Sequence, residues 1–227
     1  MSLYINTFLL AFCSIVYELL LGQALSAFLG NTVLRYSITI GLYMLSLGIG
    51  SLIAEGRFVA RPVISLLLVE TLLTLIGGSS VILLFLVSAQ DVSPFLVSAI
   101  AHGLIIVIGI LSGFEIPLLI QLKGLKEKGK DNTIIGINYL GAFLGTVIFA
   151  LILHPHVGIV ATAFWVALSN ALVGIALVTQ IEHVGQSEKK LFRTLLVLEA
   201  AMFLVLIYCL SVSNYISETL LNLYLGT

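Results

Sequence analysis

The sequence contains few charged residues. Asp, Glu, Lys and Arg make up only 9% of its 227 residues, whereas soluble domains carry roughly 25%. A chain with so little charge cannot cover a water-facing surface, and 60% of its residues are hydrophobic. The composition therefore excludes an ordinary soluble domain and predicts a protein that lies in the lipid bilayer.

The signatures of soluble enzymes and nucleic-acid binders are also missing. The net charge is −1, which does not indicate a nucleic-acid partner. The chain has no phosphate-binding glycine loop, no G-x-S-x-G and no H-E-x-x-H. Asp91 and Asp131 lie in predicted loops, so they do not form an intramembrane acid pair. We therefore predict no catalytic residues, no cofactor and no metal site, and we interpret Cys13 and Cys209 as packing residues.

Seven apolar runs dominate the chain, and each is long enough to cross roughly 30 Å of hydrocarbon. In lipid such runs must be helical, because an open strand would leave its backbone unpaired. We predict an all-α transmembrane bundle over residues 1–213, followed by an interfacial tail at 214–227 that is a turn or the link to a soluble domain. The predicted spans are Leu3–Leu29, Arg35–Glu55, Pro62–Ala89, Pro94–Leu122, Thr133–Leu153, Gly158–Glu182 and Leu191–Ser213.

The orientation follows from the basic residues. Most of them fall in the three loops on one side of the predicted bundle, after spans two, four and six. The positive-inside rule places that side, with the N-terminus, in the cytoplasm, and seven spans place the C-terminus outside. These loop residues are Arg57, Arg61, Lys123, Lys126, Lys128, Lys130, Lys189, Lys190 and Arg193.

Four glutamates lie inside predicted spans: Glu18, Glu70, Glu115 and Glu199. A charged side chain near the bilayer centre costs about 3 kcal/mol on insertion scales, and such residues usually face a bundle interior or a wet cavity. Glu70, Glu115 and Glu199 each lie about 10–12 Å from the predicted cytoplasmic end, at 1.5 Å per residue. The three carboxyl groups are therefore predicted to share one layer.

This pattern allows two interpretations. The functional one is a site for a small cation or a proton, formed by the four glutamates and lined by Tyr17, Tyr43, Asn138 and Asn170. The structural one is that each glutamate is protonated or hydrogen-bonded and holds helices together. In that case Glu70 and Glu199 could also pair with Arg61 or Arg193. His102 is interpreted as an interhelical hydrogen-bonding residue, and His154 and His156 form at best a weak metal motif.

Glycines form stripes that favour close helix packing: Gly41, Gly48 and Gly50; Gly109 and Gly113; Gly141 and Gly145. About 96 residues separate Tyr43 and its stripe from Tyr139 and its stripe, and Glu18 and Gln23 precede Glu115 and Gln121 by a similar distance. Three spans separate the two sets, so repeats of opposite orientation are one interpretation. Chance similarity among glycine-rich helices is the other.

Several short stretches resemble one family. They are Val16-Tyr17-Glu18-Leu19-Leu20, Leu29-Gly30-Asn31-Thr32, Gly41-Leu42-Tyr43, Leu47-Gly48-Ile49-Gly50-Ser51, Gly113-Phe114-Glu115-Ile116-Pro117 and Asn138-Tyr139-Leu140-Gly141-Ala142. Together they resemble the N-terminal membrane region of bacterial membrane-bound spermidine-synthase-like proteins. The resemblance implies a multi-pass protein of the bacterial inner membrane. In the family this region precedes an aminopropyltransferase-like domain, whose cofactor-binding motifs do not appear in this sequence, so aminopropyl transfer is carried over to no residue here.

The resemblance favours two hypotheses of function. The first is a membrane module that binds or transports a small cation, a polyamine in particular. The second is a non-catalytic anchor or assembly subunit for a soluble enzyme domain, a partner enzyme or a larger membrane complex. The expected partners are therefore the bilayer, a polyamine or proton, and a soluble enzyme domain or partner subunit.

Overall fold

The computed structural model describes residues 3–56, 58–90, 92–125 and 131–226, and only the backbone of Asp131. These residues form helices and contain no strand. Seven helical segments are long and apolar enough to cross a membrane, which confirms the predicted seven-span all-α bundle. The α-helices are α1 (Leu3–Leu29), α2 (Thr32–Ala54), α3 (Pro62–Ser88), α4 (Pro94–Gly124), α5 (Asp131–Ile148), α6 (Ile159–Ala176), α7 (Lys189–Ser211) and α8 (Ser213–Leu225).

Local sequence explains where the helices begin. Pro62 and Pro94 occupy first turns, where a missing N–H group breaks no helical hydrogen bond. The Ser93 hydroxyl accepts a hydrogen bond from the Leu96 amide at 3.4 Å. The Asn31 side chain accepts one from the Leu34 amide at 3.3 Å, and Asn31 itself has a positive φ of 51°. Because Asn31 caps the helix, α2 begins three residues before the predicted Arg35.

The fifth span is longer than predicted. We expected it to end at Leu153, before a turn formed by the residues around Pro155. Instead the helix continues as a wider π-helical segment, Phe149–Val157, and ends at Gly158, whose φ is +82°. The tail that we expected to be a turn or a link forms α8, and its interfacial position stays a prediction.

The packing places the first and last described residues at opposite ends of the helical bundle. α7 packs against α3 and α6, and α8 lies over the end of the bundle where α1 and α3 finish. The Tyr224 ring of α8 is 5.5 Å from that of Phe28 and 6.4 Å from that of Phe85. Because α1 starts at the opposite end, an odd number of crossings separates Leu3 from α8.

Two helix pairs meet through small residues, α2 with α4 and α1 with α5. In the first pair, a Cβ on Gly109 would lie 2.7 Å from Ser46 Cβ, and one on Gly50 would overlap the Ile110 carbonyl. In the second pair, a Cβ on Gly141 would lie 3.0 Å from Ala11 Cβ. Neither interface therefore has room for larger side chains.

The two interfaces are related position by position. Ala11 and Gly109 are 98 positions apart, as are Phe12 and Ile110, and Ile15 and Gly113. Ser46 and Gly141 are 95 positions apart, as are Gly50 and Gly145. One offset thus carries the α1 contacts onto α4, and another carries those of α2 onto α5. Since the helices concerned are three spans apart, this correspondence supports the inverted-repeat interpretation.

The structure corrects the register of that repeat. Under the offset of 95, Tyr43 corresponds to Asn138 and not to Tyr139. Gly41 and Gly48 were expected at close helix contacts, but a Cβ at either would meet nothing within 4 Å. Ser46 and Gly50 are the α2 residues at the interface, because they are four positions apart and so share one helix face.

Candidate functional site

Carboxyl groups from three different helices lie within electrostatic range around Glu70 inside the bundle. Glu70 of α3 lies within electrostatic range of Glu115 of α4 and Glu199 of α7. Glu70 and Glu199 are fully buried and Glu115 is 3% exposed. α3 and α7 begin at the end of the bundle where α4 finishes. Glu70, Glu115 and Glu199 lie at similar distances along their helices from that end, so they lie at a similar depth. We refer to Glu70, Glu115 and Glu199 as the carboxyl cluster.

Most oxygens of the carboxyl cluster lack hydrogen-bond partners. Within the described ranges, neither oxygen of Glu70 or Glu199 has a partner, and nor does Oε1 of Glu115. The alternative of pairing with Arg61 is wrong, since Arg61 forms a surface ion pair with Glu188 at 2.5 Å. Buried polar groups without partners are rare and costly. Five carboxyl oxygens of the cluster therefore have unused hydrogen-bond acceptor capacity among the described residues.

Glu199 lies in a space defined by small and hydroxyl-bearing residues. A Cβ on Gly174 of α6 would lie 2.7 Å from Glu199 Oε1, so any larger residue would displace the carboxyl group. The Thr71 and Thr74 hydroxyls of α3 are close enough to act on that carboxyl group, but neither makes a hydrogen bond of standard geometry to it. The Thr71 hydroxyl donates instead to the Leu67 carbonyl at 2.8 Å.

α1 contributes Tyr17, which lies within electrostatic range of Glu70 and Glu115. Its hydroxyl donates to the Leu73 carbonyl of α3 at 3.3 Å. The ring lies directly against Gly77, where a Cβ would overlap it. Gly77 thus explains how an aromatic ring fits beside the carboxyl cluster.

Tyr43 of α2 connects the carboxyl cluster to Glu18. The Tyr43 hydroxyl lies 3.0 Å from the hydroxyls of both Ser14 and Ser112 and 3.0 Å from the Ser14 carbonyl. It is within electrostatic range of Glu115 and Glu18. Glu18 is 5% exposed and was predicted nearer the middle or the other half of the membrane. Ser14, Tyr43 and Ser112 therefore link Glu18 to the carboxyl cluster, and we refer to this connected set of residues as the polar layer.

The two asparagines behave differently. Asn170 of α6 is fully buried, and neither amide atom has a partner among the residues with known placement. It lies one helical turn before Gly174, the residue against which Glu199 packs. Asn138 is only half-buried on α5. The structure thus places Asn170, but not Asn138, in the fully buried interior with the carboxyl cluster.

Sequence reasoning missed the residues that surround the acids and their tyrosines: Cys13, Ser14, Thr71, Thr74, Gly77, Ser112 and Gly174. Most of these lie one turn or less from an acid or tyrosine on the same helix: Ser112 precedes Glu115 by three positions, and Ser14 precedes Glu18 by four. This spacing places them on the same helix face and was a usable signal. Cys13 also reaches the site, although its thiol donates to the Val166 carbonyl at 3.7 Å.

The histidines take no part in this site. His102 was expected to bond across helices, but its Nδ1 contacts the carbonyl of Ser98 in its own helix at 2.5 Å. His154 and His156 are exposed on the π-helical segment. Within the described part of the chain, no group of three metal-ligating residues forms. Cys13 and Cys209 are both free thiols.

Known proteins resemble this chain over most of its length. Polyamine aminopropyltransferase 2 of Ralstonia nicotianae is 35% identical over 178 residues, which cover 76% of this chain and 34% of that protein. The polyamine aminopropyltransferase of Leptospira interrogans is 35% identical over 179 residues, 78% of this chain and 34% of that protein. The chain is homologous to one part of the polyamine aminopropyltransferases. This confirms the resemblance on which the sequence-based hypotheses rest.

A third relative, polyamine aminopropyltransferase 1 of Streptomyces coelicolor, is 34% identical over 79% of this chain and 34% of its own length. The chain thus spans about a third of the length of the curated relatives it matches. No protein-family model and no solved structure matches it. The homology therefore relates the helical bundle to one region of these larger proteins, and it assigns no activity to the bundle.

Proposed function

We propose that this helical bundle binds a small organic cation, with a polyamine as the favoured ligand, through Glu70, Glu115 and Glu199. The observation that carries the proposal is that two buried carboxyl groups, Glu115 and Glu199, lie within electrostatic range of a third, Glu70, and that their oxygens mostly lack partners. Buried acids in membrane proteins commonly mark ligand or ion pathways. Glu18 is proposed to belong to the same site, at the far end of the polar layer.

The chemistry of an amine suits this site. A protonated amine supplies up to three N–H donors and a positive charge, and both match unpartnered carboxyl oxygens. Tyr17 and Tyr43 add aromatic faces, which attract ammonium groups, and the Asn170 amide adds a further polar group. Several acids in one layer fit a ligand with several amines, and the name of the relatives supports a polyamine. A proton bound among the carboxyl groups is the simpler cation that the same site would accept.

Transport is proposed as an extension of binding. The paired interfaces of α1 with α5 and α2 with α4 indicate an inverted repeat, an architecture that secondary transporters use to expose one site to each side in turn. Tyr43 and Glu115 lie on α2 and α4, the two helices of one of these interfaces. The proposed location is the bacterial inner membrane, with the N-terminus in the cytoplasm, since Arg61 and Lys189 mark the end of the bundle where α1 begins.

The test is polyamine binding and flux in proteoliposomes made from the purified full chain. Glu70→Gln, Glu115→Gln and Glu199→Gln are each expected to weaken spermidine binding at least 10-fold, because Gln keeps the shape and removes the charge. Glu55→Gln is the matched control, because Glu55 is exposed and lies outside the cluster. Thermal unfolding of each variant shows whether it remains folded.

Two outcomes contradict the proposal. Unchanged spermidine binding and uptake in Glu18→Gln and Glu115→Gln would show that these acids do not form a cation site. If the variants lose stability or association with a partner enzyme while wild-type protein shows no polyamine response, the carboxyl groups are structural. That result would favour the second hypothesis, a membrane anchor or assembly subunit.

A further inference from the structure

A groove runs along the outside of the bundle between α3 and α7, with Phe164 of α6 at its base. It has a volume of about 430 Å³. Thr74 marks one end on α3, near the middle of that helix, and Ile82 lies further toward the helix end. These two residues are eight positions apart, so the groove extends about 12 Å along α3 at 1.5 Å per residue. On α7 it extends from Leu198 to Cys209.

The groove opens toward the lipid. Its neighbours on α3 and α7 include exposed apolar side chains, Leu75 at 57% and Val205 at 59%. Its lining is almost entirely apolar. The exceptions are Ser79, whose hydroxyl bonds the Leu75 carbonyl of its own helix, the Cys209 thiol, and Thr74. This apolar lining, flanked by exposed apolar side chains, suits a hydrocarbon chain that enters from the bilayer.

The inner end of the groove touches the carboxyl cluster. Thr74 lines the groove, is 2% exposed, and its hydroxyl makes no standard hydrogen bond among the described residues. The same hydroxyl lies close enough to the Glu199 carboxyl group to act on it electrostatically. Leu198 and Met202, which flank Glu199 on α7, also line the groove. One threonine thus separates an apolar, lipid-open groove from a buried acid.

We propose that this groove binds a cationic amphiphile with a linear alkyl chain, whose chain lies between α3 and α7 and whose primary ammonium group reaches Thr74 and Glu199. Charge complementarity selects this ligand, because a neutral or anionic head would meet a carboxyl group without compensating charge. The alkyl chain replaces lipid along an apolar wall. This inference uses Glu199 from the proposed function, but it adds a second ligand class and a route from the bilayer.

Cys209 provides a probe at the other end of the groove. It is half-buried and lines the groove, whereas Cys13 is 1% exposed. Alkylation of the full-length protein by N-phenylmaleimide, followed by mass spectrometry, therefore reports on Cys209. Dodecylamine below its micellar concentration is expected to slow this alkylation at least 5-fold, and dodecanol less than 2-fold. Both ligands have the same chain, so the difference measures the ammonium group.

Adjacent alanines give a matched pair of variants. Ala200 and Ala201 are both exposed on α7, but only Ala201 lines the groove. Ala201→Phe is expected to fill the groove and to abolish protection by dodecylamine, while Ala200→Phe leaves the 5-fold protection intact. Thr74→Val and Glu199→Gln are expected to reduce protection by dodecylamine to the level of dodecanol.

Equal protection by dodecylamine, dodecanol and added phospholipid would overturn the proposal, because the groove would then hold any acyl chain. Equal effects of Ala200→Phe and Ala201→Phe would also overturn it. The result is separable from the test of the proposed function. If spermidine binding depends on Glu70 and Glu115 but Cys209 is not protected, only the groove proposal is rejected. If protection depends on Glu199 but spermidine does not bind, only the polyamine-site proposal is rejected.

Discussion

The α2–α4 interface and the α1–α5 interface share a packing pattern but differ in chemistry. Both place small residues at matching positions, so that backbones come close. On the α2–α4 side, Tyr43 is fully buried and bonds Ser14 and Ser112. At the matching position on the other side, Asn138 is half-buried, and the next residue, Tyr139, is 70% exposed.

The difference shows that the two halves share their architecture but not their polar residues. Close helix packing requires only small side chains at regular spacing, so it tolerates repetition. The carboxyl cluster instead includes Glu199 of α7, and α7 has no counterpart among the six helices of the repeat. The carboxyl cluster therefore does not follow the repeat that relates the two small-residue interfaces.

The largest expected effect comes from filling the small-residue interfaces. Gly50→Leu and Gly145→Leu should each cost about 3 kcal/mol or more, because their new side chains meet backbone carbonyls that cannot move aside. Gly48→Leu is the control, with open space around its Cβ. Thermal unfolding monitored by size exclusion in detergent measures the loss. Equal tolerance of all three would contradict the paired interfaces.

Removing the Tyr43 hydroxyl should have an intermediate effect. Tyr43→Phe is expected to cost about 1.5 kcal/mol, near the upper end for hydrogen bonds inside membrane proteins, since the hydroxyl contacts both Ser14 and Ser112. Tyr139→Phe should cost nothing measurable, because its side chain is exposed. Unfolding in a denaturing detergent compares the two. If both variants lose the same stability, the chemical asymmetry between the halves is wrong.

The smallest effect concerns the two glutamines related by the repeat. Gln23 accepts a hydrogen bond from the Tyr36 hydroxyl at 2.8 Å, whereas Gln121, 98 positions later, is exposed. Gln23→Met should cost about 0.6 kcal/mol, the average for such a bond in a membrane protein. Gln121→Met should leave the unfolding midpoint unchanged. A larger loss at Gln121 would show that the repeat extends to this polar pair.

Much of the architecture could be predicted from residue patterns. Long apolar runs and first-turn prolines such as Pro62 and Pro94 defined most spans, because lipid leaves the backbone no alternative to helix. The fifth span was predicted too short, since Pro155 normally ends a helix and a π-helical segment accommodates it here. Depth counting also predicted a shared layer for Glu70, Glu115 and Glu199, but it could not show which neighbours they have.

The sequence by itself determined that this chain is a seven-span helical bundle with acids inside it, because charge content follows from composition and run length from the order of the residues. Only the tertiary structure decided the repeat register, the separation of Asn138 from Asn170, and the presence of Thr71, Thr74 and Gly174 around Glu199. These depend on which helix faces meet, and apolar helices offer many faces of nearly equal hydrophobicity. The direction in which each face points is set by packing between helices distant in sequence.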